Sequence, residues 1–136
     1  MPCKYVIAEG GNLVLERWTG TVSYEELLTH KASQLRDRSI NPGASVLADC
    51  RAAMFAISGD QARELSAVEG KSDYTTTVRR YALVVNDDVY DRAQVFSKRV
   101  SQHGVTAIVF SSFDIASTWL GVNPQRAAKL IEESDD

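Results

Sequence analysis

Ala44-Ser45-Val46-Leu47-Ala48-Asp49 is a short apolar run without in–out alternation. That pattern belongs to a strand covered on both faces, as in a parallel sheet packed between helices. Pro42-Gly43 punctuates the chain just before it. Upstream, residues 23–36 read as a helix. Ser23 and Glu26 form a capping box, and Tyr24, Leu27, Leu28 and Leu35 fall on one face with the stem of Lys31 between them. Downstream, residues 50–57 read as an apolar loop. Ser58 and Gln61 then repeat the capping-box pattern at the start of a helix running to about Val68, with Ala62, Leu65 and Val68 as its buried stripe.

The rest of the chain repeats this alternation. Residues 4–9 and 12–19 read as strands joined at Gly10-Gly11, a two-residue antiparallel hairpin. The second strand sets Leu13, Leu15 and Arg17 against Val14, Glu16 and Trp18, so both its faces are chemically mixed. Residues 79–86 read as a central strand. A helix over 88–102 carries Val89, Ala93, Phe96 and Val100 on one stripe and stops at Gly104. Residues 105–110 form the last strand. A short helix over 112–120 ends at Gly121, and Asn123-Pro124 opens the final helix. The order ββαβαβαα predicts an α/β fold with a mixed, mostly parallel sheet and an antiparallel edge hairpin. The reading is of one domain over 1–136, with a core at about 4–121 and a C-terminal helix at about 123–133.

Bulk properties narrow the function classes. The chain has 136 residues, 44% hydrophobic and 24% charged, with a net charge of −3. That is ordinary globular composition, and the interspersed charges argue against nucleic acid and anionic membrane as partners. No apolar stretch approaches the roughly 20 residues of a membrane span, and no signal-peptide core opens the chain, so the expected location is cytoplasmic. Two cysteines and two histidines suggest reduced thiols and neither a zinc site nor another metal centre. No cofactor is expected, since no glycine-rich phosphate loop is present.

Open α/β sheets collect ligands at the carboxyl ends of their strands. Asp49-Cys50-Arg51, Asn86-Asp87-Asp88, and Ser111-Ser112 with Asp114 converge there. Asp49, Asp87, Asp88 and Asp114 have the hard oxygen donors that magnesium prefers. Capping by Asp87 and Ser112, with Asp88 and Asp114 complementing helix dipoles, accounts for the same residues without a cation. Cys50 beside Arg51 would have a lowered thiol pKa. A nucleophile also needs a base, and His30, read as off the buried helix face, and His103, at the other end of the sheet, do not reach it. Met54, Phe55 and Ile57 make the 50–57 loop apolar, either as core cover or as a contact surface. Trp18 and Trp119 read as core, and Tyr90 and Phe113 as the rim of a pocket. Ser58 is an N-cap where a phosphate would be tolerated.

Four stretches taken in order resemble the SpoIIAA-like (STAS-like) proteins, small bacterial domains related in fold to anti-sigma factor antagonists. They are Leu13–Gly20 running into Thr21-Val22-Ser23-Tyr24-Glu25-Glu26, then Val46 to Arg51, then Ala82-Leu83-Val84-Val85 with the helix from Arg92 to Phe96, and finally Val109-Phe110 through Ala116 to Trp119-Leu120. The resemblance implies a non-catalytic regulatory or interaction module whose partner is another protein or a second copy of the chain. It implies Ser58 as the phosphoacceptor. The family's compact Asp-Ser-x-Gly pattern is absent, because residues 50–57 separate Asp49 from Ser58-Gly59. The expected binding surface comprises Asp49, Cys50, Arg51, Met54, Phe55, Ser58, Asp87 and Tyr90. The alternative is a binder of small apolar or nucleotide-like ligands, its pocket lying between the 50–57 loop and the helix starts at 58 and 88. An enzyme using Cys50 or the aspartates ranks third.

Overall fold

The apolar run around Val46 lies inside a longer strand, Ala44–Ala56 (β3). It pairs in parallel with Leu13–Ser23 (β2) on one side and Val78–Val84 (β4) on the other. Cys3–Ala8 (β1) adds an antiparallel edge to β2, and Thr106–Phe110 (β5) a parallel edge to β4. The sheet order is β1-β2-β3-β4-β5. The helices are Tyr24–Arg36 (α1), Gly59–Glu69 (α2), Tyr90–Ser101 (α3), Phe113–Trp119 (α4) and Pro124–Glu133 (α5). The computed structural model describes residues 3–69, 78–101 and 105–133. Among these, no helix is long and apolar enough to cross a membrane.

Alternation along the strands feeds two cores. Val14, Trp18, Val46, Ala48, Cys50, Tyr81 and Val109 face one way, packed with Leu27 and Leu65 from α1 and α2. Leu13, Leu15, Leu47, Ala82 and Val84 face the other way, under Phe113, Ala116, Ala127 and Ile131 of α4 and α5. Both faces of β3 are covered, which is why its first half lacks alternation.

Several local expectations change. Residues 50–57 are not a loop, because β3 continues to Ala56. A register shift between Arg17 and Thr19 lets β2 run on to Ser23, and Thr19–Ser23 pair with Ala52–Ala56. The first hairpin closes through a short 3-10 turn, Glu9–Gly11, rather than two residues. Gly11 has φ +102, and a Cβ there would lie 2.4 Å from the Ser39 carbonyl oxygen, so only glycine fits. A 3-10 turn, Asp87–Val89, precedes α3, and Asn86 rather than Asp87 stands at its cap position. The capping boxes of Ser23 with Glu26 and Ser58 with Gln61 are present, as are the caps by Ser112 and Asn123. His103, Gly104 and the side chains of Val68 and Val100 lie outside the described residues.

Candidate functional site

Among the described residues, the largest group of buried polar side chains lies under α1. Glu16 occupies the same face of β2 as Val14 and Trp18, and its side chain is 0% exposed. Such a carboxylate is tolerated only if donors surround it. Trp18 Nε1 donates to Glu16 Oε1 at 3.0 Å, and His30 Nε2 lies 2.9 Å from Oε2. Gln34 Nε2 donates to the same Oε2, and the Tyr81 hydroxyl reaches Oε1 at 3.5 Å. Lys31 Nζ donates to that hydroxyl at 3.2 Å. Burial pushes the Glu16 carboxyl up, but the charge and hydrogen bond of His30, then Lys31 and Trp18, outweigh it and hold it down to about 2.

The helix register builds this cluster. Leu27, His30, Lys31 and Gln34 are the buried face of α1. The expected face differs: His30 is buried, and Leu35 is 39% exposed. A histidine and a glutamine replace the leucine because the sheet opposite presents a carboxylate. The spacing 27, 30, 31, 34 and the lone acid between Val14 and Trp18 were the sequence signals for this cluster.

Cys3 on β1 sits opposite Trp18 and completes the cluster, with its Sγ and one ligand atom each of Glu16 and His30 all within 4.8 Å of one another. Burial, then Glu16, pushes the Cys3 thiol up. The Cys50 thiol is also raised, by burial first and then by Glu16 and Asp49. The expected lowering by Arg51 does not occur. Adjacent strand residues point to opposite faces, and Arg51 turns away to grip Asp49.

That grip organises the carboxyl end of the sheet. Arg51 Nε and Nη2 each lie 2.9 Å from an Asp49 oxygen, a bidentate pair, with Arg17 Nε at 3.9 Å. Burial raises the Asp49 carboxyl, but the Arg51 hydrogen bonds and charge hold it below its ordinary value. The Arg51 guanidinium also stacks over Phe113, 5.4 Å from the ring centroid. Asn86 Nδ2 donates to the Arg51 carbonyl at 2.7 Å. Asp49 is thus neutralised by arginine, while Asp87, Asp88 and Asp114 are exposed. The described residues bring no acidic metal-ligand group together there. Met54 is 70% exposed, whereas Phe55 turns inward onto Trp18, with ring centroids 5.7 Å apart. Tyr90 is half-buried and donates to the Val109 carbonyl at 3.4 Å. Ser58 is exposed, its hydroxyl accepting from Gln61 N.

A cleft of about 330 Å³ opens at the other end of the sheet, by the starts of β2 and β3. It is lined by Leu13, Ser45, Arg80, Asn123 and Arg126 among others, and Arg126 is ion-paired with Glu9. It is not the pocket expected beside residues 50–57.

A five-stranded, mostly parallel sheet with one antiparallel edge and helices on both faces is the SpoIIAA-like fold. One match is to the crystal structure of an uncharacterized DUF3478-family protein with a SpoIIAA-like fold from Shewanella loihica. The two align with a TM-score of 0.54 over 87% of this chain and 93% of that one, at 15% sequence identity. No family model and no curated protein matches the sequence.

Proposed function

We propose that the chain is a non-catalytic STAS-like interaction module that binds a protein partner along the free edge of β3. One observation carries this reading. The pairing of β3 with β4 ends at Asp49–Val84, while β3 runs on to Ala56 with, among the described residues, β2 as its one strand neighbour and an Asn86 side chain capping the other edge at the Arg51 carbonyl. An unpaired strand edge invites an added strand, whose main chain supplies affinity and whose side chains supply specificity. Met54, exposed in the middle of that stretch, is a soft and adaptable anchor. Arg51, held by Asp49, adds a fixed positive group at its start. Ser58 follows the strand directly, and a phosphate there would place negative charge beside the incoming segment.

The test is a photo-crosslinking residue placed at 54, with the exposed position 129 on α5 as control, in the full chain in its native cells. The expected result is a discrete adduct at 54 and none at 129. The captured protein, once purified, should bind the wild-type chain at least tenfold more tightly than Met54→Asp. Equal capture at both positions, or binding indifferent to Met54→Asp, would overturn the proposal. An adduct with a second copy would make the module a homodimer. The small-ligand alternative would move to the amino-end cleft, whose lining holds Arg80 together with the Glu9–Arg126 ion pair and so suits a polar molecule better than an apolar one. Native mass spectrometry would show it as a co-purifying mass.

A further inference from the structure

The cluster beneath α1 holds more donor chemistry than a packing role requires. We propose that Cys3, Glu16 and His30 form a binding site for Zn²⁺ or a similar thiophilic divalent cation, with Gln34 Oε1 as the fourth donor.

The sequence counts argued against any metal site, since neither the two cysteines nor the two histidines form a pair. The fold supplies a mixed set instead, one residue each from β1, β2 and α1. The three ligand atoms already lie within 4.8 Å of one another. Tetrahedral zinc, with bonds of 2.0–2.3 Å, sets neighbouring donors about 3.2–3.8 Å apart, so the widest separation must close by up to about 1 Å while His30 Nε2 and Glu16 Oε2, 2.9 Å apart, open slightly. Thiolate, imidazole and carboxylate together suit zinc and exclude magnesium and calcium, which take oxygen ligands.

Gln34 is the second, independent observation. Its side chain is 1% exposed, and Oε1 has no hydrogen-bond partner among the described residues although Nε2 of the same amide donates to Glu16. A buried acceptor left without a donor keeps the cost of its lost hydration. A cation on Glu16 Oε2 would take Oε1 as a ligand after a half-turn of the amide, which releases the Nε2 bond to Glu16 and turns the NH2 group to the side that Oε1 now faces. His30 Nε2 faces that same oxygen and becomes a ligand once it carries no proton. Binding therefore releases the Cys3 thiol proton, and any proton on Nε2, to solvent. The bound thiolate and carboxylate balance the two charges of the ion, and Lys31 keeps its contact with Tyr81. Cys3 is half-buried on edge strand β1, which gives the ion a short way in.

The experiment uses the untagged, metal-stripped full chain. Competition with a chromophoric chelator should show one zinc per chain. Cobalt should give the strong visible bands of a tetrahedral site and a thiolate-to-cobalt charge-transfer band. Cys3→Ser should abolish that band and weaken zinc at least tenfold, with circular dichroism unchanged. Cys50→Ser leaves Cys3 as the sole thiol and should keep both signals, so the outcome does not depend on how the Cys3 variant folds. No stoichiometric zinc at micromolar concentrations, or a charge-transfer band lost with Cys50→Ser, would overturn the site. Zinc binding by Cys3→Ser at wild-type strength would overturn it as well.

Discussion

Glu16 shows how one side chain reorganises its surroundings. In an apolar core an isolated carboxylate would be neutralised or expelled. Here Trp18, His30, Gln34 and Tyr81 converge on its two oxygens. Such a network stabilises little relative to a well-packed apolar one, but breaking it is costly because the remaining partners are left unpaired. Glu16→Ala should therefore lose about 3–5 kcal/mol, measured by urea unfolding in the presence of a chelator. A loss below 1 kcal/mol would mean that water takes the carboxylate's place. The pH dependence follows in sign. The folded carboxyl is held down to about 2, below its ordinary value of 4.5. Its contribution is full above the higher value and fades as pH falls through the lower one. The wild-type acid transition between these values should be shallower in Glu16→Gln. Asp49, held down by Arg51, loses stability in the same direction and should keep its part of the slope in that variant.

Among the elements, α1 and β3 separate what was legible from what was not. Helix starts were readable because a capping box is a contact between residues three apart. Ser23 with Glu26 and Ser58 with Gln61 form as expected. The first half of β3 was readable because burial on both faces leaves a continuous apolar run. Its second half was not, since Cys50–Ala56 become strand only through the register shift in β2, a long-range event that no local signal records. The face of α1 was legible at Tyr24, Leu27, Leu28 and Lys31 but not at His30, Gln34 and Leu35, for a related reason. Apolarity selects Leu35 over Gln34, but the acid on the facing strand makes a polar residue the better core partner. Of the expected surface residues, Asp49 and Arg51 do meet, whereas Phe55 and Cys50 belong to the core and Asp87 stands apart on a turn. This register gives a sharp expectation. Leu35→Lys should change stability by no more than about 0.5 kcal/mol, the usual range for surface substitutions. A core leucine would lose about 2–5 kcal/mol on truncation, so a loss of that size in a thermal melt would restore Leu35 to the buried face.

The whole molecule is a sheet between two apolar layers, and its two thiols sit at different depths in that arrangement. Cys50 is buried in the middle of the sheet, in contact with the core that α1 and α2 cover. Cys3 lies half-buried on the edge strand. Exposing Cys3 asks only that β1 loosen, while exposing Cys50 asks that a core come apart. Local openings of edges are far more frequent than global ones. The Cys50 thiol is moreover kept protonated, by burial first and then by Glu16 and Asp49, so even a transient visitor meets a poor nucleophile. In a Cys3→Ser chain, alkylation of Cys50 by iodoacetamide near pH 8 should run at least about a thousandfold slower than for the unfolded chain. Its dependence on urea should have the slope of global unfolding. Labelling at the rate of a free thiol would mean that the layer over β3 opens on its own. A urea dependence much weaker than the global slope would point to a local route to Cys50 through the free end of β3, where β4 no longer covers it.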